Sequence, residues 1–247
     1  MPISQMIHIA KCDERVITIK KIFNQKTLFG FIFITMVLSN IFVSVRIFHA
    51  PTVAGPGELN VRVKGDYTLM LLECIFGTLA LLLPSFIEKR FKIVIPSGVI
   101  VAYAVFLYCA IYLGEVRSFY YSVPYWDTIL HTFSGAMLGA LGLTLISFLN
   151  KTDRIPVYLS PLFVAIFTFC FAVALGVVWE IYEFTIDSLF LTNMQKYALE
   201  NGTPLIGRAA LVDTMKDLIV DCIGALAFSI FGYISLKSKK EWLQLLQ

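Results

Sequence analysis

Charge is what this sequence has least of. Asp, Glu, Lys and Arg make up 15% of its 247 residues, where a soluble domain carries about 25%. With 58% hydrophobic residues and a mean hydropathy of +0.78, the deficit excludes an ordinary soluble globular domain, and nucleic acid is not an expected partner. Cysteine is present but unorganised. Of Cys12, Cys74, Cys109, Cys170 and Cys222, four lie in apolar runs and one in the N-terminal segment. None lies in a predicted external loop, and there is no CxxC or zinc-finger spacing, so no disulfide framework is implied. The first 27 residues carry Lys11, Arg15, Lys20, Lys21 and Lys26 but no small-residue cleavage site. The first apolar run therefore reads as a retained helix rather than a signal peptide. Internal repeats and low-complexity tracts are also missing.

What the chain does have is long, continuous apolar runs. Lipid supplies no hydrogen-bond partners, so only helices or closed barrels span it, and continuous rather than alternating runs point to helices. The expected fold is an all-α polytopic transmembrane bundle. Its six spans fall near residues 28–48, 66–87 (ending near Pro84), 95–114, 126–149, 157–189 and 213–236. A basic segment, 1–27, precedes them and a tail, 237–247, follows. With the N-terminus placed inside, 13 of the 20 Lys and Arg fall on the inner side and seven on the outer. The positive-inside rule then puts both termini in the cytoplasm of a multi-pass protein of the cell membrane.

On that map the acids gather in one leaflet. "WDTILHTFSG" sets Asp127 and His131 one helical turn apart at the outer start of the fourth span. "GVVWEIYEFTIDSLF" puts Glu180, Glu183 and Asp187 on one face at the outer end of the fifth. "VDTMKDLIVD" puts Asp213, Asp217 and Asp221 on one stripe at the outer start of the sixth. Glu115 ends the third span, and the second begins at Asp66 with Glu73 two turns deeper. Asp221 falls roughly 12 Å beyond Asp213 along its helix, and an Asp at the bilayer centre costs about 2.5–3.5 kcal/mol. The stripes are therefore expected to face one another across a shared cavity. Crowded carboxylates need protons, a bound cation or nearby basic groups. Carboxylates with one imidazole suit a divalent cation such as Mg²⁺, Mn²⁺, Ca²⁺ or Zn²⁺. Asp127, His131, Glu180, Glu183, Asp217 and Asp221 are the candidate ligands. Asp127, His131 and Glu183 are the candidate catalytic groups, with His131 or Glu183 as base. Arg208 and Lys216, close by in the chain, are candidate substrate-binding cations.

Each element also has a purely structural reading. Asp213 or Thr214 can cap the sixth span, since Thr214 and Asp217 have capping-box spacing. Glu180 and Glu183 can mark a helix end emerging into water. Asp66 reads as an interfacial N-cap, and Glu73 can bond a neighbouring helix. Phe119, Tyr120, Tyr121, Tyr125 and Trp126 read as an interfacial aromatic belt. Gly135 and Gly139 give small-xxx-small spacing for close helix packing. Gly202, Pro204 and Gly207 make the loop before the sixth span turn-rich.

The order Asp-x-x-x-His, then "WEIYEF", then "VDTMKDLIVDCIGAL" resembles the bacterial polytopic family that includes the inner-membrane protein YjdF. More distantly it is similar to VanZ-like proteins, associated with glycopeptide resistance. The likeness covers roughly residues 115–235 and carries Asp127, His131, Glu180, Glu183, Asp213, Asp217 and Asp221. Three functional expectations follow. The first is a metal-dependent hydrolase or transferase acting at the outer leaflet on a lipid or lipid-linked envelope precursor. The second is a cation- or proton-coupled transporter. The third is a non-catalytic assembly or envelope-stress protein whose acids brace the bundle.

Overall fold

The computed structural model describes residues 25–53, 61–92, 94–150, 159–199 and 203–245. The basic segment at 1–24, with Cys12, lies outside the described residues, as do Lys151, Arg154 and Gly202. Among the described residues the structure is helical. The helices are α1 (Gln25–His49), α2 (Lys64–Phe91), α3 (Ser97–Leu107), the single-turn α4 (Phe119–Ser122), α5 (Trp126–Asn150), α6 (Pro161–Phe190) and α7 (Val212–Leu245). α3 runs on into a π-helical segment, Tyr108–Val116, and a 3₁₀ turn, Gly207–Leu211, leads into α7. Six of these helical stretches are long and apolar enough to cross a membrane.

The chain divides into two compact units. One contains α1 to Arg46 together with Met70–Arg117; the other contains Ile47–Leu69 and the chain from Ser118 onward. In the first unit, Asn40 on α1 donates to Thr78 Oγ1 at 3.0 Å and to the Cys74 carbonyl at 3.3 Å on α2. Interhelical polar contacts of this kind join spans where water cannot compete. Pro84 does not end its helix: α2 continues seven residues past it, to Phe91. A mid-helix proline leaves the carbonyl four residues earlier without its usual N–H partner. That carbonyl belongs to Ala80, and it accepts a hydrogen bond from Tyr103 Oη of α3 at 3.0 Å. The freed acceptor is satisfied by a neighbouring helix, and so the span survives the proline.

The second unit holds α5, α6 and α7 packed on one another. α6 starts cleanly: Ser160 accepts from Phe163 N–H at 3.1 Å, with Pro161 at the first helical position. Its buried residues are Val164, Thr168, Ala172, Gly176, Glu180, Glu183 and Asp187. Steps of three and four make that one face, apolar at its start and acidic at its end. α7 buries Asp217, Asp221, Ala225 and Ser229 at strict steps of four, and turns Ile219, Ile223, Ile230 and Ile234 outward, all at least half exposed. Polar groups inside and large aliphatics outside invert the pattern of a soluble helix and match a helix bathed in acyl chains. α5 and α7 cross where both lack side chains. A Cβ on Gly135 would lie 2.3 Å from the Asp221 carbonyl oxygen, and one on Gly224 would lie 2.1 Å from the Thr132 carbonyl oxygen. Only glycine permits this backbone approach.

Candidate metal centre

Three helix ends and one loop build the site. Asp127 occupies the first turn of α5, where the helix dipole favours a carboxylate, and His131 follows one turn on. Asp213, in the first turn of α7, opens the stripe that continues through Asp217 and Asp221. Glu180 and Glu183 come from the far end of α6. The Gly135–Gly224 crossing brings the stripes together. Gly176 on α6 adds to it, since a Cβ there would stand 3.0 Å from Asp221 Oδ2.

His131 is the centre of the arrangement. Its Nε2 lies 3.8 Å from Asp127 Oδ1 and 3.9 Å from Asp217 Oδ2, and its Nδ1 lies 3.4 Å from Asp221 Oδ2. The ligand atoms of Asp127, His131 and Asp217 all fall within 4.8 Å of one another. Edges of up to that length put the centre within about 2.8 Å of each corner, so a small inward movement of the side chains would reach the roughly 2.0–2.6 Å of divalent-cation bonds to nitrogen and oxygen. The opposite imidazole nitrogen faces Asp221. Asp221 Oδ1 is in turn 2.9 Å from Ser134 Oγ, whose hydroxyl also lies 2.8 Å from the His131 carbonyl. A histidine oriented through its second nitrogen by a carboxylate is the usual support for a metal-binding imidazole.

The loop after α6 contributes a cation. Asp187 Oδ1 accepts from Thr192 Oγ1 at 2.6 Å and from Met194 N–H at 2.7 Å, and its Oδ2 accepts from Gln195 N–H at 3.0 Å. Asn193 ties the loop to Ala198 through both ends of its amide, and Gln195 Nε2 donates to Thr214 Oγ1 of α7 at 3.1 Å. Held in this way, Lys196 adopts φ 46°, a region costly for a side chain with a Cβ, and extends its amine into the site. Nζ lies 2.6 Å from Asp127 Oδ2, 3.4 Å from Asp213 Oδ2 and 5.2 Å from the Tyr120 ring centroid. Burial pulls the lysine pKa down, but the carboxylates of Asp127 and Asp213 outweigh it and hold the value above the usual 10.5. The amine is charged throughout the physiological range.

The acids still outnumber the cations. Glu180 and Glu183 both interact electrostatically with His131. With Asp127, Asp213, Asp217 and Asp221 they make six carboxylates around one lysine and one imidazole. His131 and Lys196 both form ion pairs with these acids, and Lys216 acts on Asp213 electrostatically. Glu183 accepts from Trp179 Nε1 at 2.9 Å. Asp217 Oδ1 is buried without a hydrogen-bond partner, while Glu180 has the Thr214 hydroxyl beside it. A buried unpaired oxygen of this kind is rare, and a cation or a proton would satisfy it.

The structure therefore gathers Asp127, His131, Glu180, Glu183, Asp213, Asp217 and Asp221 in one unit. It leaves Arg208 exposed on the 3₁₀ turn, and Lys216, half-buried on α7, acts on Asp213 electrostatically. Asp66 spends its carboxylate at the start of α2, accepting from Val63 N–H at 2.7 Å. That is the back-bond of a third helical residue rather than an N-cap. Glu73 and Glu115 belong to the other unit. Sequence reasoning missed Lys196 as a member of the site, because a loop lysine carries no periodic signal. It also missed Ser134 inside the same motif. Tyr120, one of the aromatics assigned to the belt, faces Lys196 as well.

Comparison with known proteins adds a family. The family described as "Predicted membrane protein (DUF2238)" matches residues 57–238, a stretch that includes every residue of the centre. An uncharacterized protein of Thermotoga maritima is 27% identical over 157 residues, covering 63% of this chain and 68% of its own. No solved structure matches.

Proposed function

The chain belongs to the DUF2238 family of membrane proteins, and on that footing we propose that it is a membrane-embedded enzyme dependent on a divalent cation. It acts as a hydrolase or transferase on a lipid or lipid-linked cell-envelope precursor. The observation that carries the reading is the placement of His131 Nε2 between Asp127 Oδ1 and Asp217 Oδ2, at 3.8 and 3.9 Å, with Nδ1 turned to Asp221. The mixed nitrogen and oxygen donor set suits Mn²⁺ or Zn²⁺ as well as Mg²⁺.

A cation held there would polarise a phosphoryl or acyl oxygen and lower the pKa of a bound water toward neutrality. Glu183, held in place by the indole Nε1 of Trp179 at 2.9 Å, is the proposed proton acceptor. The positive-inside count supports an outer-leaflet location in the cell membrane, where lipid headgroups reach the helix ends. Arg208 and Lys216 are the cations available to attract an anionic headgroup.

The test is elemental analysis of the purified protein beside His131→Ala, with release of phosphate or acyl product from envelope lipids measured in parallel. The reading expects about one divalent cation per chain, lost together with activity in His131→Ala and Asp217→Asn. A protein that takes up no cation, or variants that keep full activity, would overturn it.

A further inference from the structure

Asp127 uses its two oxygens in different directions. Oδ1 faces His131 at 3.8 Å, and Oδ2 is 2.6 Å from Lys196 Nζ. The same amine lies 3.4 Å from Asp213 Oδ2. One carboxylate shared between two positive centres, with a further carboxylate closing each side, is how dinuclear metal sites are built. Here the first centre has His131 and Asp217 as its other donors, and the chain's own ammonium stands where the second would be. Lys196 reaches that place from a loop pinned by three hydrogen bonds to Asp187, so its position is set by the fold. Donor capacity also remains unused: Asp217 is only 2% exposed, and its Oδ1 has no partner.

We propose that Lys196 Nζ occupies the second cation position of a two-cation site bridged by Asp127, and that removing the amine opens this position to a second divalent cation. The inference rests on the reading of a first cation between Asp127, His131 and Asp217. The two positions differ in chemistry. The first includes an imidazole and accepts Zn²⁺ as well as Mn²⁺. The second offers carboxylate oxygens and favours a hard cation, Mn²⁺ or Mg²⁺. In the native chain the fixed ammonium supplies the second positive charge toward an anionic substrate oxygen, so one metal serves where related chemistry elsewhere uses two.

The experiment is metal stoichiometry on the full chain purified in Mn²⁺, combined with electron paramagnetic resonance. The proteins compared are the native chain, Lys196→Ala, Lys196→Gln (which keeps a donor for Asp127 if alanine fails to fold) and Lys196→Ala/Asp213→Asn. The native chain is expected to hold one Mn²⁺ with an uncoupled spectrum. Both lysine variants should hold two and show the exchange-coupled spectrum of a close pair, and the double variant should return to one. One Mn²⁺ in every protein would overturn the second position while leaving the first intact. One in the lysine variants and none in the native chain would overturn it too, since the lysine would then block the sole position. None in any protein would defeat this inference and the parent reading together.

Discussion

His131 presents its two nitrogens to different partners, and the difference predicts two kinds of failure. Nε2 faces Asp127 and Asp217, so on the proposed reading His131→Ala would remove a ligand. Nδ1 faces Asp221, which is steadied by Ser134, so Asp221→Asn and Ser134→Ala disturb only the orientation of the ring. Both are expected to weaken Mn²⁺ binding about 10–100-fold, as loss of an outer-sphere partner does, while saturation at high Mn²⁺ still reaches the native stoichiometry. Isothermal titration separates the two cases. Lys196 gives a pH prediction. Its folded pKa lies above the ordinary 10.5, so its stabilising contribution is complete below that value and is lost only as pH rises through the higher folded value. Thermal unfolding in detergent should show Lys196→Met less stable than the native chain by about 3 kcal/mol or less, as expected when a partly buried ion pair is broken. The gap should be constant from pH 6 to about 10 and shrink above it. A gap that closed near neutrality would mean that the lysine is not held by Asp127 and Asp213.

At the level of helices, the site depends on how closely α5 and α7 approach. A methyl group at Gly135 meets the Asp221 backbone at 2.3 Å, a contact that no rotamer change relieves. Gly135→Ala should cost about 1–3 kcal/mol of stability and, by displacing Asp221 from His131, lower cation affinity as well. Gly30 has open space around its Cβ position, and Gly30→Ala should leave affinity unchanged. In α2 the continuity through Pro84 depends on Tyr103. Tyr103→Phe should lose about 1 kcal/mol by leaving the Ala80 carbonyl without a partner in lipid, read as a lowered unfolding midpoint in detergent. Much at this scale was legible in the sequence. The six spans followed from apolar runs, and the acidic stripes of α6 and α7 followed from steps of three and four. The passage through Pro84 was not legible, because the tyrosine that rescues it belongs to another helix. Nor was the tethering of the Lys196 loop: Asp187 is in register with the α6 stripe, but its oxygens are spent on the backbone and side chain of residues beyond the helix.

For the molecule as a whole, a multi-pass helical protein has placed seven carboxylates at one end of a three-helix group, Asp187 spending its own on the following loop, with outward faces of isoleucine, leucine and phenylalanine. Inserting that many acids is tolerable only if they face one another and are neutralised there. Pairing with one lysine and one histidine leaves the group short of positive charge, and on the proposed reading a divalent cation would make up part of the shortfall. The sequence carried the membership of the group through motif spacing, whereas contact distances and the role of Lys196 came only from the folded chain. Cation dependence should also be visible in stability, since a ligand bound only by the folded state raises the unfolding midpoint with its concentration. Electron spin-echo spectroscopy of the Mn²⁺-loaded protein reports whether a histidine nitrogen is bonded to the metal. The geometry around His131 predicts modulation from one imidazole nitrogen, abolished in His131→Ala and retained in Lys196→Gln. A Mn²⁺ signal without nitrogen modulation, or one unchanged in His131→Ala, would show that the cation, if bound, is not held where these three residues meet.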